Sequence, residues 1–139
     1  MRKPAQFDGW PAILEVGYGP YRAVVCRQVD GDTYYVLCDV GMNDYPFREI
    51  RLLGVDPVTR QPRGMDTPET NRAKSKAAGL AAKAYAAEHL VPNGTAIILR
   101  TWPDPDSFGR YLGTMQLADG RDVGHELVEA GHAVWRDYD

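Results

Sequence analysis

Short apolar runs separated by turn sequences predict a series of β-strands in the first half of the chain. The runs 24–29, 33–40 and 47–55 are rich in β-branched, aromatic and aliphatic residues, a composition that favours strands. Asp30-Gly31-Asp32 separates the first two runs and Gly41-Met42-Asn43-Asp44 the next two. Both are turn sequences. The pattern therefore predicts an antiparallel meander of three strands.

Helical periodicity replaces this pattern over residues 75–91. Alanine dominates the segment between 77 and 87, which favours helix, and Pro92-Asn93-Gly94 ends it. The apolar residues recur at helical spacing and predict a stripe that lies against the sheet. The stripe consists of Ala77, Leu80, Ala81, Ala84, Ala87 and Val91.

The second half of the chain predicts two more strands, over 96–99 and 111–117, and a brief helix over 125–130 that ends at Gly131. Between the third strand and the main helix, the Pro- and Gly-containing segment 57–74 predicts a long surface loop, and loops of that length are often functional. The order indicates a mainly β, α+β fold. We expect a five-stranded OB-fold barrel with one main helix after strand 3 and a short C-terminal helix.

Composition places the chain among ordinary globular domains. Its 139 residues are 44% hydrophobic and 25% charged, sufficient for one packed core. We expect an arm rich in aromatics, Pro and Gly over 1–20 and one domain over 21–139. A net charge of −3 argues against permanent residence on nucleic acid, but not against an enzyme that contacts a few phosphates. Without an apparent signal peptide or membrane span, we expect a cytoplasmic monomer.

The two cysteines do not have the spacing of a zinc site or of a disulfide framework. Cys26 and Cys38 flank the first turn and could face each other across a hairpin. The expectation is a pair of reduced thiols in the core, since free cysteine is often buried.

Candidate chemistry lies at the turns and in the third strand. Carboxylates follow predicted strands at Asp32 and Asp56, another, Asp66, lies in the long loop, and an arginine, Arg51, lies within a strand. Oxygen ligands of this kind suit a hard cation such as Ca²⁺, and an arginine fork suits a phosphate. Taken one at a time, these features are more often an ordinary turn or a solvated side chain; together they indicate phosphodiester chemistry.

Four motifs in order make the sequence similar to the staphylococcal nuclease (thermonuclease) family, over roughly residues 22–134. They are Asp30-Gly31-Asp32-Thr33, Arg51-Leu52-Leu53-Gly54-Val55-Asp56, Asp66-Thr67-Pro68-Glu69-Thr70 and Phe108-Gly109-Arg110. The resemblance implies an OB barrel and Ca²⁺-dependent hydrolysis of DNA and RNA with low sequence specificity.

The resemblance also implies roles for particular residues. Asp32 would be a Ca²⁺ ligand. Arg51 and Arg110 would bind the scissile phosphate and stabilise the charge that develops in the reaction. Glu69 would activate or orient the attacking water, and the carbonyl of Thr67 would lie beside the metal.

The sequence departs from the family pattern after the third strand. Asp56 keeps the family's spacing from Arg51, but no glutamate follows it; the intact Asp-x-Pro-Glu unit comes ten residues later, at Asp66 and Glu69. Strand length favours Asp56 as the second ligand, and the intact unit favours Asp66. We favour the unit of Asp66 and Glu69 slightly and keep Asp56 as a nearly equal candidate ligand.

Substrate contacts are expected from two groups of residues. Arg60 and Arg63 belong to a basic cluster that could follow a nucleic-acid backbone or be a solvated loop. Phe108 and Tyr111 could stack on a base or pack in the core. The expected partner is DNA or RNA, preferentially single-stranded. The alternative function is a weak or inactive OB-fold module of the same family that binds nucleic acid or protein, an alternative that the displacement of Glu69 favours.

Overall fold

The computed structural model describes residues 5–7, 17–103 and 109–137. Most of the predicted arm lies outside these residues, apart from a 3-10 turn at Ala5–Phe7 and the start of the first strand, ahead of the expected boundary at residue 21. The helices and strands, in chain order, are β1 (Tyr18–Asp30), β2 (Thr33–Asp39), β3 (Phe47–Val55), β4 (Pro62–Asp66), α1 (Lys76–His89), β5 (Ala96–Pro103), β6 (Arg110–Gln116), α2 (Val123–Glu129) and β7 (Val134–Trp135).

Five strands close into a barrel. The sheet runs in the order β2-β1-β5-β6-β3-β4-β7, and an additional pairing of β2 with β3 closes the ring formed by β1, β2, β3, β5 and β6. The pairs are antiparallel except for β3 and β6, which are parallel. The predicted five-stranded OB-type barrel with a main helix and a short C-terminal helix is confirmed.

The prediction of a continuous loop over 57–74 is wrong in its middle part. Residues Pro62–Asp66 form β4, which pairs with β3 on one side and with β7 on the other. Pro62 takes the first position of the strand, where a missing N–H is tolerated. The insertion after β3 is therefore a β-hairpin that returns Asp66 toward the barrel.

Fully buried side chains fill the interior of the barrel. Helix α1 packs against the barrel, and its buried face differs from the stripe that the sequence predicted. The buried residues of α1 are Gly79, Ala82 and Ala86, whereas Leu80 is 47% exposed. The buried face includes Gly79, where an added Cβ would lie 2.6 Å from the Pro68 carbonyl oxygen, and apolar periodicity does not reveal such a backbone contact. The largest fully buried side chains include Tyr34, Ile50, Leu52, Met65, Leu99, Met115 and Leu127.

The expectation of two core thiols holds for Cys38 alone. Cys38 is buried and lies opposite Ala23 in the β1–β2 register, whereas Cys26 is exposed. Ala23 and Val25 are buried, so the alternation of the strand puts Cys26 on the outer face, at a register shift between Val25 and Arg27 that is typical of a β-bulge. Across the described ranges, no helix has the length and apolar character needed to cross a membrane.

Candidate functional site

A polar pocket of about 310 Å³ lies where five segments meet: the β1–β2 turn, β3, the end of β4 with the segment after it, the start of β6 and the residue after β7. Seven of its lining residues are charged, and six of these, all except Arg136, belong to the motifs identified in the sequence. The lining residues are Asp30, Asp32, Thr33, Arg51, Asp66, Thr67, Pro68, Glu69, Asn71, Arg110 and Arg136.

Asp32 occupies the tight turn between β1 and β2 and is buried, with 8% of the residue exposed. Its carboxylate accepts a hydrogen bond from the backbone N–H of Thr67 at 3.3 Å. Gly31 permits this approach, because a Cβ there would come within 2.9 Å of the Thr67 side chain. Burial raises the pKa of Asp32 above its ordinary value, although the nearby Arg51 guanidinium acts in the opposite direction.

Arg51 lies within β3 and connects the two acidic segments. Its Nη2 donates a hydrogen bond to Oδ1 of Asp66 and lies 3.9 Å from Oδ2 of Asp32. Arg136 donates to the other carboxylate oxygen of Asp66 at 2.7 Å. The structure thus brings Asp66, Asp32 and Arg51 together in the pocket.

Asp56 lies in the β3–β4 turn, outside this pocket. Its carboxylate accepts hydrogen bonds from the backbone N–H groups of Val58 at 2.8 Å and Thr59 at 3.2 Å, and these bonds lower its pKa from the ordinary value. Arg63 donates to the same carboxylate at 3.2 Å. These contacts are those of an Asx-type turn, and they occupy Asp56 within the hairpin.

Arg60 and Arg63, which the sequence suggested as contacts to a nucleic-acid backbone, also belong to the β3–β4 hairpin. Arg63 pairs with Asp137 at 2.8 Å and packs its guanidinium over the Trp135 ring at 5.3 Å. Arg60 is an exposed turn residue with φ of 61°. Neither side chain lines the pocket, and their role in substrate binding stays a prediction.

Thr67 and Glu69 follow β4 and both line the pocket, but Thr67 is buried whereas the Glu69 side chain is largely exposed. Thr67 is buried, and its hydroxyl has no hydrogen-bond partner among the residues that the structure describes. The Glu69 side chain is 56% exposed and pairs with Nε of Arg72 at 2.7 Å. Ser75 donates its hydroxyl to the backbone carbonyl of Glu69 at 2.7 Å, which fixes the backbone while the carboxylate remains accessible.

The β6 motif contributes one residue to the pocket. Arg110 lies at the start of β6, opposite Glu49 in the parallel β3–β6 register, and lines the pocket. Tyr111 lines a separate cleft of about 120 Å³ together with Tyr21 and Arg48. Phe108 lies outside the described residues. The predicted base contacts of Phe108 and Tyr111 therefore stay predictions.

Sequence reasoning missed Arg136, which follows β7. The pairing of β7 with β4 brings it to the pocket, where its backbone N–H donates to the carbonyl of Gly64 at 2.8 Å and its side chain reaches Asp66. No local motif marks this residue, because its position depends on a two-residue strand pairing.

The residues at the pocket fit an oxygen-ligated cation. Asp32 and Asp66 supply carboxylates, and the buried hydroxyl of Thr67, which lacks a partner among the described residues, is a further oxygen at the same place. Within residues 5–7, 17–103 and 109–137, no three His, Cys, Asp or Glu side chains gather as a metal-binding group. Ca²⁺ accepts hydroxyl, carbonyl and water oxygens beside carboxylates, so such a site would depend on water ligands.

Comparison with known proteins identifies the family of the chain and a relative that is similar over a short segment. The family model described as "Staphylococcal nuclease homologue" matches residues 49–139, more than half of the chain. The match includes Arg51, Asp66, Glu69 and Arg110 and begins after the turn that holds Asp32. The succinoglycan biosynthesis protein ExoI of Rhizobium meliloti (strain 1021) is 53% identical over 34 residues, which are 24% of this chain and 18% of that protein.

Proposed function

The chain belongs to the family of staphylococcal nuclease homologues, and from this premise we propose that it is a Ca²⁺-dependent nuclease that hydrolyses phosphodiester bonds in DNA or RNA with low sequence specificity. The observation that carries the proposal is the pocket itself. It gathers Asp32, Arg51, Asp66, Glu69 and Arg110 from four separate segments of the chain.

Two arginines supply the contacts that a phosphodiester needs. The guanidinium groups of Arg51 and Arg110 can each offer a planar pair of N–H donors to phosphoryl oxygens. Charge on those oxygens grows as the ester is hydrolysed, so donors fixed in advance favour the transition state over the substrate. Arg110 is proposed to stabilise the leaving oxygen, while Arg51 holds the phosphate beside Asp66.

Asp32, Asp66 and an oxygen of Thr67 are the residues that would hold Ca²⁺. When bound, the cation would neutralise charge on the phosphate and help to position it. Asp66 already contacts Arg51 and Arg136, so those two guanidinium groups would share it with the cation.

Glu69 is the proposed acceptor of the proton from the attacking water. As the water oxygen forms its bond to phosphorus, the ester bond breaks and the Glu69 carboxylate takes the proton of the water. The leaving oxygen departs with the bonding electron pair beside Arg110 and takes a proton from solvent. The exposed side chain and its solvent-facing pair with Arg72 leave Glu69 able to turn toward the pocket, since such pairs are weak.

Single-stranded DNA or RNA is the proposed preferred substrate. The pocket is recessed between a turn and the segment after β4, and a flexible single strand can bend a phosphate into such a recess more easily than a duplex can.

The ion pair between Glu69 and Arg72 favours one other candidate function, a binding module of the same family without turnover, because in the structure Glu69 faces Arg72.

The experiment that separates these two functions measures cleavage and binding together. Labelled single-stranded DNA and RNA are incubated with the full chain in Ca²⁺ and in chelator, with Arg51→Ala purified in the same way to exclude a contaminating nuclease. Cleavage by the parent in Ca²⁺ alone, abolished in Arg51→Ala, supports the nuclease. Binding of the strands without any cleavage in Ca²⁺ overturns it and favours the binding module.

A further inference from the structure

Three side chains form a row across the outer face of β1, β2 and β3. The guanidinium of Arg27 lies over the Tyr35 ring, 4.8 Å from its centroid. The rings of Tyr35 and Phe47 are stacked, with centroids 5.5 Å apart and planes inclined by 12°. Arg27 and Tyr35 are also register partners in the β1–β2 pair. We call these three residues the aromatic row.

The aromatic row is accessible to a ligand rather than built into the core. On β2 the alternate residues Tyr34 and Val36 are buried, so Tyr35 faces away from the barrel interior. Phe47 ends the row and is 52% exposed. A half-exposed phenyl ring at the edge of a stack presents apolar surface that the described residues leave uncovered.

The aromatic row shares its face with the proposed active site. Ile50 and Leu52 are buried on β3, which puts Phe47, Glu49 and Arg51 on the opposite face. Arg51 lies four residues beyond Phe47, about 13 Å along a strand that rises about 3.3 Å per residue. Glu49 separates them and lies opposite Arg110 in the β3–β6 register.

From this arrangement we propose that the aromatic row is a stacking platform for bases of a single-stranded nucleic acid whose neighbouring phosphate enters the pocket at Arg51. The proposal rests on the proposed nuclease function for its choice of ligand. Aromatic rings on an OB barrel bind bases through their faces, largely independently of sequence. Arg27 adds a cation beside the stack, suited to a phosphate or a base face.

The distance between the aromatic row and the pocket fits such a ligand. About 13 Å along β3 lies well within the footprint of an OB barrel on a single strand, which covers about 4–16 nucleotides. A duplex has its bases paired and internally stacked, so it cannot place a base on Phe47 without opening. The platform therefore selects unpaired strands over duplex of the same sequence.

The test compares the parent with two variants in their binding of an oligothymidylate of about twelve nucleotides, a length within the usual footprint of an OB barrel. Binding is measured in chelator so that the strand is not cleaved. Phe47→Leu keeps an apolar side chain but loses the ring. We expect its dissociation constant to rise about 5- to 20-fold, the usual effect of losing one base stack. Tyr18→Leu, an exposed tyrosine at the far end of β1, is the matched control and is expected to bind like the parent.

Two further probes separate stacking from charge and from catalysis. An oligomer of abasic sugar phosphates should bind the parent and Phe47→Leu equally, because it has no bases to stack. A dinucleotide that is too short to reach from the pocket to the aromatic row should be cleaved by both at the same rate. Equal affinity of parent and Phe47→Leu for oligothymidylate would overturn the platform. Absence of cleavage with the affinity difference intact would overturn the nuclease function alone.

Discussion

Gly79 of α1 lies directly against the backbone of Glu69. A Cβ added at Gly79 would come within 3.0 Å of the Glu69 carbonyl oxygen and 2.6 Å of the Pro68 carbonyl oxygen. Ser75, one turn earlier, donates its hydroxyl to the same Glu69 carbonyl. The start of α1 and the residue before it thus support the backbone of the proposed water-activating residue, although neither Gly79 nor Ser75 lines the pocket.

Gly79→Ala should therefore impair catalysis although alanine is the better helix former. Its methyl group displaces the 68–69 backbone, and a shift of about 1 Å at a catalytic group lowers the rate by about 10²-fold. We expect kcat for single-stranded DNA to fall about 10- to 100-fold with KM nearly unchanged. Ala78→Gly, on the exposed side of α1, is the control: it should lower stability by about 1 kcal/mol and leave kcat intact. Parental kcat in Gly79→Ala would refute the positioning role.

Substitution of Asp56 and Asp66 distinguishes the two candidate ligands. Asp66→Asn removes a carboxylate from the pocket, and we expect Ca²⁺-dependent cleavage to fall about 100-fold or more, as for loss of a single electrostatic contact in an active site. Asp56→Asn keeps the oxygen that accepts from Val58 and Thr59 and loses only the pair with Arg63. When cleavage rates are measured as a function of Ca²⁺ concentration, Asp56→Asn should behave like the parent. A large loss in Asp56→Asn with little loss in Asp66→Asn would instead identify Asp56 as the ligand.

Arg51 should not tolerate lysine, because an ammonium group cannot contact two oxygens in the fixed plane of a guanidinium. Arg51→Lys is expected to lower the cleavage rate about 10²- to 10³-fold. Arg63→Lys is the matched change at an arginine that the structure places in the β3–β4 hairpin. It should retain most activity in the same assay. Similar losses in both variants would mean that the effect is not specific to the pocket.

Asp122 gives the fold a pH dependence that is independent of the site. Its carboxylate accepts hydrogen bonds from His125 N–H at 2.8 Å and Val55 N–H at 2.9 Å, which caps α2 and connects it to β3. Burial raises the pKa of Asp122, outweighing the lowering by these two bonds. Its contribution to stability is complete below the unfolded pKa of about 3.9 and is lost as pH rises through the raised folded pKa.

Asp122→Asn can keep both hydrogen bonds through its amide oxygen and does not titrate. Across the range from about pH 3 to about pH 7, the unfolding free energy of the parent minus that of Asp122→Asn should therefore decrease, measured by urea titration. Asp119→Asn is the control, because hydrogen bonds from Arg121 lower the pKa of the Asp119 carboxyl. For this variant, the unfolding free energy of the parent minus that of the variant should increase with pH over the same range. A difference between parent and Asp122→Asn that does not change with pH would contradict the assignment.

The barrel strands could be predicted because each has a local composition and a turn at its end. The run that forms β3 contains Phe47, Ile50, Leu52, Leu53 and Val55, and the β1–β2 turn carries its own Asp-Gly-Asp signal. Strand β4 has no such pattern: Pro62-Arg63-Gly64-Met65-Asp66 becomes a strand only through pairing with β3 and β7. Tertiary pairing overrides local preference here.

The same distinction applies to the candidate site. Asp32, Arg51, Glu69 and Arg110 lie in motifs that the sequence displays, and the structure brings all four to one pocket. The choice between Asp56 and Asp66 depended on the hairpin, which no local signal showed. Arg136 contacts Asp66, and Gly79 lies against the backbone of Pro68 and Glu69; no local pattern in the sequence indicates either contact.

The most direct test of the central claim is the rate at which Glu69→Gln cleaves single-stranded DNA at saturating Ca²⁺, measured beside the parent and beside Glu88→Gln, an exposed glutamate on α1. We expect a loss of about 10²- to 10⁴-fold in Glu69→Gln, the usual contribution of a positioned base, with oligonucleotide binding retained. Glu88→Gln should match the parent. A Glu69→Gln variant that cleaves at the parental rate would contradict the account, because the segment after β4 would then not supply the catalytic carboxylate.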